Sequence, residues 1–318
     1  MYYPYFRGKQ FELQAIKESA STLASAEFTP IIEPVREIEE KGPKSSLKRT
    51  LDELSKNEAN AIIIINPNHG KLKGNKSAVP DLLEENFPNS NFIHKAILLN
   101  NEITNDEISQ LLKITNGDIT FIHDRYDNPL EFSSEFHSEI ETSKNIFIGN
   151  DPQFIYRDNF SSSNTHILVS DGFQQRRNAD YPEMEKFSEL HLTYSDKYNL
   201  QGFGDFLMVG DNYSDFGGRA YAVAIHLTFI NKSAQNAMFI KHYISDSNNG
   251  PEDPARKFLE ALSKLIEDID RNPSIIFESS AISEFRKLYD RKHFPGLGYV
   301  KKLSMIHHME TYAEYFKK

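Results

Sequence analysis

The chain has 318 residues and a formal net charge of −10, with 39% hydrophobic, 12% aromatic and 26% charged residues. That composition can bury a core and is not that of a disordered chain. The absence of cysteine excludes disulfides, thiolate nucleophiles and cysteine-based zinc or iron–sulfur sites, and the acidic balance argues against direct binding to a phosphate backbone.

The first residues, MYYPYFRGK, are aromatic rather than polar, so the chain is expected to enter structure at once. They carry neither the basic then apolar pattern of a secretory signal nor a membrane-length apolar stretch. Together with the missing cysteines, this predicts a soluble cytoplasmic protein with no membrane association. YYPYF is the first of eight short apolar runs, followed by TPIIEPV, AIIIINP, HKAILLN, DITFIHD, NIFIGND, THILVSDG and GDFLMVGD. Continuous Ile, Val, Leu and Phe bounded by polar turns suits strands buried on both faces, as in a parallel sheet. Between the runs lie stretches of helical period. Leu13, Ile16, Ala20 and Leu23 form one apolar stripe, and Thr104 with Glu107 has the spacing of a capping box ahead of Ile108, Leu111 and Leu112. The fold class is therefore α/β, and eight strands point to a (βα)8 TIM-like barrel, with a doubly wound open sheet as the alternative. Helical signals are weakest over Pro152–Ser163 and Gln174–Leu200.

After the eighth run, AYAVAIHLTFI and AMFIKHYIS read as an antiparallel hairpin. Tyr221, Val223, Ile225, Leu227 and Phe229 share one face, while Ala220, Ala222, Ala224, His226 and Thr228 share the smaller one. The expectation is a barrel over 1–272 that includes the hairpin 220–245, with the hairpin leaning over the mouth or docking a second chain and its large face packed on the barrel, on the C-terminal helices or on a partner. Asp253–Pro254 then opens an amphipathic helix, and 273–318 form a helical appendage.

Barrel enzymes place their chemistry at the C-terminal ends of the strands. Read there, the sequence offers Arg7, Lys9, Glu33, Asn66, Asn68, Asn100, His123, Asp124, Asn150, Asp151, Asp171 and Asp211. Asx residues in such places often only close turns. Glu33, set between apolar neighbours in PIIEPV, needs a buried partner, and Arg7 or Lys9 from the first strand is expected to supply it. Glu33, Asp171 and Asp211 are the candidate catalytic carboxylates. Arg7, Lys9, Asn66, Asn68, His226 and Lys241 are the candidate ligand-binding residues. An oxygen-rich ring of this kind could also hold a divalent metal ion, whose identity the sequence leaves open. NPNHGKLKGNKS does not have P-loop spacing, no H-E-x-x-H or G-x-S-x-G occurs, and adjacent His307 and His308 cannot chelate one ion together.

YYPYFRGKQFEL, PIIEPV, NPNHG, FGDFLMVGD, GGRAYAVAIHLT, MFIKHYISD and HFPGLGYVKKLSMIHHME together resemble an uncharacterised bacterial family related to the phage beta proteins. The resemblance carries no catalytic residue. It implies a mobile-element or defence setting and a protein partner, toxin-like or nuclease-like, in a two-protein antiphage or toxin-control system. Two readings follow, a regulatory protein that binds such a partner and a barrel hydrolase acting on a phosphate-bearing substrate, with homo-oligomer formation left open.

Overall fold

A computed structural model describes residues 1–38, 45–115, 119–150, 153–163, 165–215, 221–271 and 273–317. The N-terminal half alternates strand and helix: β1 (Tyr5–Phe6), α1 (Gln10–Glu18), α2 (Ala20–Ser25), β2 (Ile31–Ile32), α3 (Ser46–Lys56), β3 (Ala61–Ile64), α4 (Ala78–Asn86), β4 (Ile93–Leu99) and α5 (Asn105–Thr115). It continues through β5 (Ile119–His123), α6 (Pro129–Glu135), α7 (His137–Thr142), β6 (Lys144–Ile148), α8 (Phe154–Asp158), β7 (Thr165–Val169), β8 (Met184–Ser188), α9 (Leu190–Thr193) and β9 (Gly202–Gly204). The remainder is β10 (Ala224–Asn231), β11 (Ala237–Ile244), α10 (Pro254–Ile269), α11 (Ser280–Asp290) and α12 (Leu297–Phe316).

Eight parallel strands run in the order β1-β2-β3-β4-β5-β6-β7-β9. Backbone bonds from Tyr3 N–H to Phe203 O at 2.8 Å and from Tyr5 N–H to Asp205 O at 2.9 Å bring the last strand back to the first. The fold is thus the expected (βα)8 barrel, and YYPYF sits between its second and eighth strands. Alternation along the strands divides the side chains into two layers. Tyr3, Tyr5, Ile31, Ile62, Ile64, Ala96, Leu98, Ile122, Ile146, Ile167 and Val169 fill the barrel interior, with Phe206 added above them. Their outward neighbours, among them Phe6, Ile32, Ile63, Ile97, Phe121, Phe147 and Leu168, meet the surrounding helices. The interior is a packed core.

The eighth strand lies slightly upstream of GDFLMVGD. It is Gly202-Phe203-Gly204, and Phe206 to Met208 follow it in a turn in which Leu207 has φ +50°. The reason is steric. A Cβ on Gly204 would stand 2.1 Å from the carbonyl oxygen of Tyr3, and one on Gly202 would meet the Tyr3 ring at 2.5 Å. The seam closes because this strand has no side chain on its inner face.

The seventh unit also departs from expectation. Where its helix should lie, the chain supplies β8, which pairs antiparallel with β11 and makes the hairpin a three-stranded sheet, β10-β11-β8. This sheet is clamped between two helices. Lys241, opposite Leu227 in the ladder, reaches Asp268 of α10 at 2.7 Å, so the large face is covered by α10. On the small face Thr228 meets His308 of α12 at 2.9 Å. Small residues let α12 approach the sheet closely, so both faces of the hairpin pack on the chain's own C-terminal helices, and neither face leans over the mouth. Val223, Ile225, Leu227 and Phe229 are buried as expected, but Tyr221, which precedes β10, is 58% exposed.

Helix α12 packs on α1, α2 and β10, and its Tyr312 ring touches those of Tyr2 and Phe203 at the barrel seam. It occupies the place of the helix that follows an eighth barrel strand. Among the described residues, no helix is long and apolar enough to cross a membrane.

Candidate functional site at the barrel mouth

Side chains from the C-terminal ends of four strands meet around one guanidinium. Arg7 follows β1, and its Nη1 pairs with Oε2 of Glu33, the residue just after β2. Its Nη2 lies 2.6 Å from Oδ1 of Asp211 and donates to the Asp211 carbonyl at 2.9 Å. His69, on the loop after β3, places Nδ1 2.8 Å from Oε1 of Glu33, and the backbone N–H of Asn68 donates to the same oxygen at 2.9 Å. Tyr5 donates its hydroxyl to Glu33 Oε2 at 3.0 Å. Glu33 is fully buried, with every oxygen satisfied.

Local sequence fixes this arrangement. Arg7 can turn back over the barrel because Gly8 adopts φ +60°, and a Cβ there would stand 2.9 Å from the Glu33 carbonyl oxygen. Buried Glu12, in the first turn of α1, accepts the Arg7 backbone N–H at 2.6 Å and anchors the loop. Phe206 and Tyr5 lie against the guanidinium from below, at 5.4 and 4.9 Å from their ring centroids.

Charge is divided unevenly across the site. Burial alone would raise the Glu33 pKa, but hydrogen bonding from His69 and the charge of Arg7 outweigh it and bring the value down to about 2. Asp211 shifts the other way. Burial raises it, Arg7 opposes that rise, and the nearby Asp124 adds to it. Asp171 is also raised by burial, although it accepts backbone N–H groups from Asp211 at 2.8 Å and Phe173 at 2.9 Å. Carboxylates pushed apart in this way are the usual basis for an acid and a base in one pocket. An ionised Glu33 can only accept, so the close His69 Nδ1 must carry a proton and donate to it. The other ring nitrogen, Nε2, has no partner among the described residues, in a side chain that is 23% exposed.

The remaining sequence candidates separate clearly. Lys9 donates to the Ser214 carbonyl at 2.6 Å and lies over the Tyr213 ring, while the Arg7 guanidinium is engaged by Glu33 and Asp211. Asn66 binds the backbone of Leu98 through both ends of its amide, and Asn100 closes a turn by accepting from Glu102 and Ile103 N–H groups. His123 faces outward, stacked on Phe147 and bonded to Asn145 and Tyr156, and burial lowers its pKa to about 3. Asp124 is held by exposed Arg125. Asn150 accepts the Asp171 backbone N–H, and Asp151 lies outside the described residues. His226 and Lys241 do not join the mouth cluster. His226 shares a 2.7 Å contact with His242, and Lys241 is buried against Asp268. His307 and His308 are likewise internal: His307 bridges Ser279 and the Thr228 carbonyl, and His308 faces Thr228, Tyr2 and Asp205.

His69 is the residue that sequence reading passed over. Its signal was present, because NPNHG sets a histidine at the end of a barrel strand, but the loop's lysines and glycines drew attention to phosphate instead. Among the described residues, no group of three or more His, Asp or Glu side chains could hold a metal ion. No protein-family model, curated protein or solved structure significantly matches this chain.

Proposed function

We propose that the protein is a barrel hydrolase that works by general acid–base catalysis at the mouth of the barrel. The observation that carries this reading is the buried Glu33 orienting His69 beside Asp211, on either side of the Arg7 guanidinium. In the proposed step, His69 Nε2 takes a proton from a water molecule as its oxygen bonds to the substrate's electrophilic centre. The bond to the leaving group breaks, and protonated Asp211 supplies that group's proton. Burial raises the Asp211 pKa against the opposing charge of Arg7, while Glu33 stays ionised and holds the imidazole in place. The engagement of Arg7 and Lys9 within the protein favours an uncharged substrate over a phosphate-bearing one.

The test is a hydrolysis screen over p-nitrophenyl esters, glycosides and phosphates, and over nucleosides. One class should turn over, and His69→Ala should lower kcat by about 10²- to 10⁴-fold. The rate should fall as pH rises and Asp211 loses its proton, and Asp211→Asn should abolish that fall along with most of the activity. Turnover indifferent to both substitutions would overturn the assignment.

A specific feature favours a second reading, partner binding in a two-protein system. Leu130, Phe154 and Ile155 are 75%, 55% and 88% exposed. They open α6 and α8, which follow the neighbouring strands β5 and β6 at the same end of the barrel. Exposed apolar side chains placed this way suit a protein contact.

A further inference from the structure

Beside the catalytic cluster lies a pocket of about 230 Å³ between the loop after β3 and helix α5. It shares a wall with the site. Asn68 lines it, donates its backbone N–H to Glu33, and immediately precedes His69. His69 itself does not line the pocket, so the two sites meet at Asn68.

Three properties of the lining select a ligand. One wall is aliphatic, formed by Ile103, Leu111 and Ile114. The charges cancel, since Lys73 pairs with Glu102 at 3.0 Å and Lys76 pairs with Glu107, so an anion would have to displace a carboxylate from a lysine. The side-chain amides of Asn68 and Gln110 have no hydrogen-bond partner among the described residues. An open amide offers a donor and an acceptor in one plane, the pattern by which Asn and Gln recognise base edges. The volume lies below the roughly 300–1,000 Å³ of pockets for drug-sized ligands, which restricts the occupant to one or two rings.

We propose that this pocket holds the non-reacting part of the substrate, a neutral planar heterocycle with an adjacent donor and acceptor, the chemistry of a nucleobase. The ring lies on the Ile103–Leu111–Ile114 wall, and its edge is read by Asn68 and Gln110. The attached group projects past Asn68 toward His69. This assignment rests on the hydrolase reading for the direction of the ligand, but its binding test does not need turnover.

The experiment is calorimetric titration of the full chain with adenosine, guanosine, cytidine and uridine, with glucose and inorganic phosphate as controls. At least one nucleoside should saturate at millimolar concentration while both controls stay silent. Asn68→Leu and Gln110→Leu should each weaken that binding by about tenfold, equivalent to ~1.4 kcal/mol. Gln110 is on the exposed surface of α5, so its variant keeps the test valid if Asn68→Leu fails to fold. His69→Ala should still bind. Nucleosides that bind but are never hydrolysed would support the pocket and count against the hydrolase. Hydrolysis of another substrate class with no nucleoside bound would do the reverse. Failure of all four nucleosides to bind, or binding unchanged in both pocket variants, would overturn the proposal.

Discussion

Glu33→Gln is expected to lower the stability of the folded chain by about 3–5 kcal/mol, the cost of leaving one partner of a buried ion pair without the other. The amide nearly preserves shape, so the loss isolates charge. Arg7 would keep Asp211 but lose the carboxylate that it meets inside the barrel. Urea denaturation at neutral pH measures the effect, and an unchanged midpoint would show that the pair adds nothing to stability.

The same residue gives a pH signature. The folded pKa of Glu33 is depressed to about 2, below the ordinary value near 4.3 of an unfolded chain. Its contribution is therefore fully present above the unfolded value and is lost as pH falls through the folded one. That window, from about pH 4.3 down to pH 2, should remove about 3 kcal/mol from the wild type. The Glu33→Gln variant should lack this segment of its acid-unfolding curve. Parallel curves for the two proteins would contradict the assigned pKa.

Asp205→Ala should be comparably severe, by about 3–5 kcal/mol, for a different reason. Asp205 Oδ1 accepts the Tyr2 hydroxyl at 2.8 Å and the Leu207 N–H at 3.0 Å, and its Oδ2 faces His308 Nε2 at 3.2 Å. All four residues are buried. Removing the carboxylate would strand up to three polar groups, each at about 1–3 kcal/mol. Because His308 belongs to α12 and Tyr2 to the first strand segment, the loss should loosen the C-terminal helix from the barrel seam. Hydrogen exchange should show α12 amides losing protection more than those of β4 and β5. Uniform loss across the chain would mean that the seam and the barrel unfold as one unit.

Much of this architecture was legible in the linear chain. Buried parallel strands have no wet face, so AIIIINP, HKAILLN and DITFIHD appear as unbroken apolar runs, and strand ends could be read from the Asx and Gly residues that bound them. A carboxylate between apolar neighbours also had to find a cation, which pointed to Glu33 and the first strand. Both signals are local, because they come from the period of one element and the solvation of one side chain.

What the chain did not reveal depends on who sits beside whom. β8 is a polar five-residue segment that becomes a strand only because β11 offers it an edge, and β9 is a strand because two glycines make room for Tyr3. His226 and Lys241 looked available until α12 and α10 covered the two faces of their sheet. His69 stands out only through its contact with Glu33, 36 residues earlier, across the rim. The sequence by itself determined the barrel and the need for a buried partner at Glu33, since periodicity and the cost of burying charge act within a segment. The tertiary structure decided which histidine is oriented, which cations are consumed and which amides stay open, because those outcomes depend on distances between strands far apart in the chain.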